Sequence, residues 1–175
     1  MSKIEILANI ISLIGSVIMI FVGLIKNRKK ILGVQIVMFA LFAIANVMLK
    51  AYTGAVTNGL SIIRNGITFF TEFGLPYQIG FICVQAMLCL LLNKDGLIGW
   101  LPVLGVGLFT LTVNKSAKVM KAVIIVTQIM WTVYDLFYKN YSAAIFDVVT
   151  MVSNAVGIYL ILRDEKKAKE AGKKL

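Results

Sequence analysis

The sequence predicts an all-α membrane protein with seven transmembrane helices, arranged as two parallel three-helix repeats that a linker helix joins. Three observations carry this prediction. Hydrophobic residues make up 59% of the chain and the mean hydropathy is +0.89, whereas a soluble domain has about 45–50% apolar residues. Apolar runs close to the roughly 20 residues that cross a bilayer recur along the chain, and the chain repeats itself after 89 residues.

Seven apolar runs are expected to span the membrane, at residues 4–25, 31–49, 51–70, 77–92, 97–112, 119–138 and 141–162. None alternates as a barrel strand would, so each is expected to be helical. The first run leads into a basic KNRKK segment without a small-residue cleavage site, which favours a retained span over a signal peptide. The runs divide the chain into a first bundle (1–70), a linker helix (71–96), a second bundle (97–162) and a basic tail (163–175).

The evidence for the internal repeat comes from its polar residues, because apolar residues of any two membrane helices match by chance. An ungapped shift of 89 places like on like in seven polar pairs: Asn46/Asp135, Lys50/Lys139, Tyr52/Tyr141, Thr53/Ser142, Asn58/Asp147, Ser61/Thr150 and Asn65/Asn154. A unit of three spans ends on the opposite side of the membrane from its start, so two such units joined directly would be inverted relative to each other. One additional span between them restores the same orientation. The two repeats are therefore predicted to be parallel, as in one class of transporter.

The net charge of +10 orients the protein rather than indicating a nucleic-acid partner. Thirteen of the 18 basic residues lie in three clusters at helix ends, within 26–30, 115–121 and 163–174. By the positive-inside rule the N-terminus is then outside and the C-terminus is cytoplasmic. This pattern predicts contact with membrane lipids and no nucleic-acid partner, while the polar residues described below predict a small-molecule solute.

Short motifs carry a family resemblance. The stretches YTGA (52–55), IIRNGI (62–67) and LPVLG (101–105) resemble the bacterial inner membrane protein family typified by YgjV, which implies a location in the bacterial inner membrane. The three-one-three layout is similar to that of SWEET and PnuC-type transporters, which implies alternating access around a central site. The Pro-Gln dipeptide of PQ-loop relatives is absent, and the two prolines are Pro76 and Pro102.

Polar residues at helical spacing form the candidate site. Asn58, Ser61 and Asn65 share one face of span three, and their equivalents share one face of span seven. The predicted substrate-binding residues are Asn58, Ser61, Arg64, Asn65, Gln128, Trp131, Asp147, Thr150 and Asn154. The alternative is that such residues only hold helices together. For Trp131, as for Phe42 at the equivalent position, the alternatives are core packing and stacking on a ring-shaped solute.

Two charges inside spans need compensation, because burying either at a helix centre costs about 2.5–3.5 kcal/mol. Arg64 and Asp147 are expected to compensate each other across a central cavity. Asp135 is three residues from the end of its span and is expected to be solvated at the outer rim.

The function expected from these features is transport of a small polar or aromatic solute by alternating access. The chain contains no histidine, which removes the commonest catalytic base and metal ligand, so neither an enzyme nor a cofactor is expected. The alternative is a structural or regulatory membrane protein, and an intramembrane enzyme ranks third. The sequence leaves open the solute, the direction, the coupling ion and whether the chain forms a homo-oligomer.

Overall fold

The computed structural model describes residues 2–172, and this part of the chain forms seven α-helices. Their bounds are α1 Lys3–Leu24, α2 Arg28–Met48, α3 Tyr52–Phe70, α4 Leu75–Leu92, α5 Leu101–Thr112, α6 Ala117–Phe137 and α7 Tyr141–Gly172. A single 3₁₀ turn, Ile98–Trp100, leads into α5. The all-helical membrane fold expected from the sequence is confirmed.

Local sequence explains most of the helix ends. Ser2 caps α1 in a reciprocal box with Glu5, and the Asn27 side chain accepts a hydrogen bond from the third residue of α2. Pro76 and Pro102 lie in the first turns of α4 and α5, where the missing N–H is not needed.

Two lysines end equivalent helices in the same way. Lys50 and Lys139 both adopt a left-handed conformation, with φ of 60° and 59°. In each turn the next residue donates a 2.8 Å hydrogen bond to the carbonyl five residues earlier, at Asn46 and at Asp135. The 89-residue period of the sequence therefore recurs in the backbone.

Five of the helices, α1, α2, α4, α6 and α7, are long and apolar enough to cross a membrane. The other two fall short for different reasons. α3 carries nine buried residues, most of them polar, and α5 with its 3₁₀ turn is an apolar segment shorter than the other spans. α7 continues past the expected span to Gly172, as a helical extension whose side chains over residues 163–170 are exposed.

The helices contact one another in a closed ring of six. Within the first bundle α2 contacts α1 and α3, and within the second α6 contacts α5 and α7; α1 then packs on α7, and α3 packs on α5. α4 packs outside this ring, against α3 and α5. These contacts map onto themselves when the bundles are exchanged, as a two-fold relation requires. The parallel orientation of the repeats stays a prediction.

The interior is more polar than that of a soluble protein. Among residues 2–172 the buried set holds 24 polar or charged residues and 20 hydrophobic ones, while large side chains such as Phe70 and Leu91 are exposed on the outer surface. A polar centre inside an apolar shell suits a chain surrounded by lipid and built around a site.

We call the end of the ring at which α1 ends and α2 begins the basic end, and the opposite end the far end. An apolar plug fills the ring near the basic end. It comprises Met19, Val22, Ile31, Leu32, Met38, Phe73, Phe109, Val113, Met120 and Ile124.

Candidate functional site: a central cavity between the two bundles

A cavity of about 50 Å³ lies inside the ring, with room for a few water-sized groups. Its walls come from both bundles. They are formed by Met19, Gln35, Met38, Phe39, Phe42, Asn46, Asn58, Arg64, Gly105, Val106, Phe109, Ile124, Thr127, Gln128, Trp131, Asp135 and Asp147.

Most of the lining consists of matched positions. Twelve of the 17 residues form six pairs that are 89 residues apart, namely Gln35/Ile124, Met38/Thr127, Phe39/Gln128, Phe42/Trp131, Asn46/Asp135 and Asn58/Asp147. Helices α2 and α6 supply five of these pairs. The cavity is thus enclosed by equivalent faces of the two bundles, which is the geometry of a site at a repeat interface.

The charges break this equivalence. Where the first bundle presents Asn46 and Asn58, the second presents Asp135 and Asp147. The residue 89 positions after Arg64 is Ser153, which does not line the cavity and bonds to the Thr150 carbonyl of its own helix. One wall of the cavity therefore carries a basic side chain and the other carries two acidic ones.

Arg64 is fully buried and is held in place by neutral groups. Its Nε and one terminal nitrogen donate to Oδ1 of Asn65 at 3.0 and 2.9 Å, and its other terminal nitrogen donates to the Thr110 hydroxyl at 3.0 Å. The guanidinium also lies over the Phe109 ring, 4.8 Å from its centroid. Asn65 in turn donates to Gln35 at 3.1 Å, which fixes the amide that orients the arginine.

The two carboxylates are likewise held by neutral donors. Gln128 donates to Asp147 at 2.7 Å and the Thr132 hydroxyl lies 3.4 Å from its second oxygen, while Asn140 donates to Asp135 at 3.1 Å. Over residues 2–172 no ion pair involves Arg64 or either aspartate. The expected direct compensation between Arg64 and Asp147 is therefore not formed, although both line one cavity.

Asp135 differs from the expectation for its position. Its place near the end of α6 predicted solvation at the rim, but its exposed fraction is 5%. The left-handed turn that follows α6 brings Asn140 back over the carboxylate, and this turn closes the side on which water was expected.

Asn58 adds a further unsatisfied group to the cavity. Its side chain is buried, and its amide nitrogen has no hydrogen-bond partner within the described chain. An unpaired buried donor costs about 1–3 kcal/mol. A polar solute in the cavity would remove that cost.

The structure divides the nine predicted site residues. Asn58, Arg64, Gln128, Trp131 and Asp147 line the cavity, and Asn65 supports Arg64 from behind. The remaining three do not reach the cavity: Ser61 donates to Thr57 O, Asn154 donates to Thr150 O, and the Thr150 hydroxyl has no hydrogen-bond partner among residues 2–172.

Several lining residues were not among the predicted ones. Phe39 and Ile124 are 89 positions from the stripe residues Gln128 and Gln35, so extending the polar stripes of α2 and α6 through the repeat would have identified both. Met38 and Thr127 are equivalent only to each other, and no polar stripe indicates them.

Two polar contacts join the bundles at the far end, and we call them the far-end latch. The Tyr134 hydroxyl of α6 accepts a 2.8 Å hydrogen bond from the Gly54 N–H and lies 3.0 Å from the Thr53 hydroxyl of α3. Asn9 of α1 donates to the Lys139 carbonyl at 3.2 Å and accepts from the Ser142 N–H at 3.1 Å.

Two cationic side chains join the bundles at the basic end, and we call them the basic-end latch. Arg28 of α2 donates to the Val113 carbonyl at 2.7 Å and to the Asn114 side chain at 3.0 Å. Lys121 of α6 is fully buried and donates to two carbonyls at the end of α1, those of Gly23 at 2.6 Å and Val22 at 3.1 Å. A cation at a helix C-terminus is stabilised by the helix dipole.

In the part of the chain that the structure describes, no three His, Cys, Asp or Glu side chains lie close enough together to bind a metal ion.

Comparison with known sequences identifies a family: the Imp-YgjV family model, described as a bacterial inner membrane protein, matches residues 6–165. No curated protein and no solved structure matches the chain.

Proposed function

The chain belongs to the Imp-YgjV family of bacterial inner membrane proteins, and we propose that it transports a small polar or aromatic solute by alternating access between its two three-helix bundles. The observation that carries this proposal is the central cavity, in which apolar walls hold buried polar and charged side chains on equivalent faces of the two bundles. Polar and charged groups buried inside a membrane are costly and characteristically mark solute pathways.

The latches suit a protein whose bundles rock against each other. Besides the packing of α1 on α7 and of α3 on α5, polar contacts to helix termini join the bundles at each end, and such contacts can break at one end while they hold at the other. In the state described both latches are formed, and the apolar plug shares Met19, Met38, Phe109 and Ile124 with the cavity lining.

We further propose that the basic end faces the cytoplasm and the N-terminus lies outside. The first two basic clusters flank helix ends at the same end of the ring, and Lys26 and Lys118 there pair with Asp164 and Glu165 of the α7 extension. Clustered basic residues at one end are the signal that the positive-inside rule uses.

Transport is tested by filling the cavity. The Gly105 position faces α6, and a Cβ there would lie 3.5 Å from the Thr127 Cβ and 3.7 Å from Trp131 Nε1. A leucine at this position would occupy the small cavity, whereas a Cβ at Gly80 on the exposed surface of α4 meets nothing within 4 Å.

In the assay, vesicles containing the wild type, Gly105→Leu or Gly80→Leu are incubated with a defined mixture of amino acids, sugars, nucleosides and water-soluble vitamins. Their contents are then measured by mass spectrometry. At least one solute should accumulate with the wild type and Gly80→Leu, and it should not accumulate with a folded Gly105→Leu. Equal contents in all vesicles, including protein-free ones, would contradict transport.

A second candidate is a structural or regulatory role. It is favoured by the hydroxyls of Ser61, Thr68 and Ser153, which bond to carbonyls of their own helices and need no solute. This role predicts that Gly105→Leu lowers stability or alters partner binding without affecting any uptake.

A further inference from the structure

The two walls of the cavity carry opposite formal charges that do not meet. Asp135 and Asp147 belong to the second bundle and Arg64 to the first. Within residues 2–172 no basic nitrogen lies within 4 Å of either carboxylate, and no carboxylate lies that close to the guanidinium. An uncompensated buried charge is strongly destabilising, so each wall favours a group of opposite charge.

Arg64 retains donors for such a group. A guanidinium has five N–H groups, and three are used by Asn65 and Thr110. One N–H on each terminal nitrogen is left without a partner in the described chain. Two neighbouring N–H groups on one cation match the two oxygens of a carboxylate.

The opposite wall suits an ammonium group. Each aspartate has neutral donors only, and Trp131, on the same helix as Asp135, presents an aromatic surface in the lining. Carboxylates beside an aromatic ring favour a cation through charge and through the ring quadrupole. The unpaired Asn58 amide provides one more donor for a carboxylate or hydroxyl.

The depths of the charges limit the size of the solute. Asp147 is six residues and Arg64 twelve residues from the far-end starts of α7 and α3, which places their Cα atoms about 9 and 18 Å deep at 1.5 Å per residue. The long arginine side chain spans part of this difference. The cavity of about 50 Å³ admits only a small molecule.

We propose that the solute is a small zwitterion, whose carboxylate binds Arg64 and whose ammonium group binds at Asp135 and Asp147. This inference rests on the proposed transport function and narrows its substrate class. A zwitterion offers each wall a group of opposite charge, with one ammonium group shared by the two carboxyl groups, whereas a neutral sugar offers none.

The test compares matched charge forms of the same side chain. Purified protein is titrated with the common L-amino acids, the corresponding amino-acid amides, which are cations, and the N-acetyl amino acids, which are anions. Sugars and nucleosides form a neutral arm. Binding is measured by thermal shift and calorimetry, since a ligand that binds the native state raises its stability.

For wild type we expect at least one amino acid to bind about tenfold or more tightly than its amide and its N-acetyl form, the scale of one charge-assisted hydrogen bond. Arg64→Gln should abolish the preference over the amide, and Asp147→Asn should reduce the preference over the N-acetyl form. The charge-matched controls Arg163→Gln and Glu72→Gln, at exposed positions, should retain both preferences. Melting without ligand shows whether each variant is folded.

The outcomes separate this inference from transport. Binding and uptake of a neutral solute, or equal binding of all three charge forms, would overturn the zwitterion and leave transport standing. No binding in any arm together with no uptake of any solute would overturn both.

Discussion

Replacing Tyr134 by phenylalanine removes one oxygen atom and, with it, the contact that joins α6 to the start of α3. Tyr134 is fully buried. Its hydroxyl accepts from the Gly54 N–H at 2.8 Å and lies 3.0 Å from the Thr53 hydroxyl. Ala51, the residue that precedes the first residue of α3, provides no side-chain cap for this helix. The tyrosine therefore caps, from the other bundle, one of the first N–H groups that every helix leaves unpaired.

The expected cost follows from what the substitution leaves behind. The phenylalanine ring keeps its edge-to-face packing on Trp131, where the ring centroids are 5.6 Å apart, so the packing contribution changes little. The Gly54 N–H stays buried without an acceptor, which costs about 1–3 kcal/mol. We expect Tyr134→Phe to lower the free energy of unfolding by that amount.

The assay is reversible unfolding of the purified protein in mixed detergent micelles, with Tyr159→Phe as the matched control. The Tyr159 side chain is 63% exposed, and its hydroxyl has no hydrogen bond within the described residues, so its removal should be nearly neutral. In a background without the native cysteines, a cysteine at Asn58 should also react faster with a water-soluble maleimide when Tyr134 is replaced. Equal stability and equal reactivity of the two Tyr→Phe variants would refute the capping role.

Three further predictions concern packing, the support of the buried cation and topology. Gly157→Ala should separate α1 from α7 and destabilise the protein, because its Cβ would lie 2.1 Å from a backbone oxygen of α1. Gly59→Ala should instead stabilise it by about 0.5–1 kcal/mol, because within residues 2–172 its Cβ meets no atom within 4 Å apart from its chain neighbours and the backbone of its own helix. Asn65→Leu should lower the free energy of unfolding by about 3–5 kcal/mol, because it leaves the buried Arg64 without its main acceptor. Asn154→Leu should lower it clearly less in the same assay. Similar losses for the two variants would contradict the different roles of these asparagines. A cysteine replacing Lys94 should be labelled by an impermeant reagent from outside and one in the turn between α5 and α6 should not, and the reverse pattern would contradict the orientation.

The sequence predicted the helices well because membrane spans depend on local properties. Every helix up to α6 begins and ends within a few residues of an expected apolar run. The largest departure is α7, which extends past its span. The Lys, Glu and Ala residues after position 162 have high helix propensity, so the helix continues into water.

The cavity was predicted only in part, because a stripe of polar residues does not reveal which neighbour it faces. Asn65 and Asn154 are equivalent in sequence, yet one supports Arg64 and the other bonds to its own helix. The difference arises at a single position, where Arg64 in one repeat corresponds to Ser153 in the other. The burial of Asp135 was missed for a related reason, since it depends on a turn conformation after the helix.

The latches also determine how the sequence can change over evolutionary time. Each of them uses a backbone group on one side: a carbonyl of Gly23 for Lys121, of Val113 for Arg28 and of Lys139 for Asn9, and the N–H of Gly54 for Tyr134. A backbone group persists when its own side chain is replaced, so the exposed Lys139 position can change without breaking its contact with Asn9. Gly23 and Gly54 cannot change in the same way, because a Cβ would lie 2.0 Å from the Ser153 hydroxyl oxygen at the first and 2.7 Å from the Tyr134 ring at the second. Among homologues we therefore expect glycine to be retained at 23 and 54 together with Lys121 and Tyr134, and Asn9 to be retained while residue 139 varies.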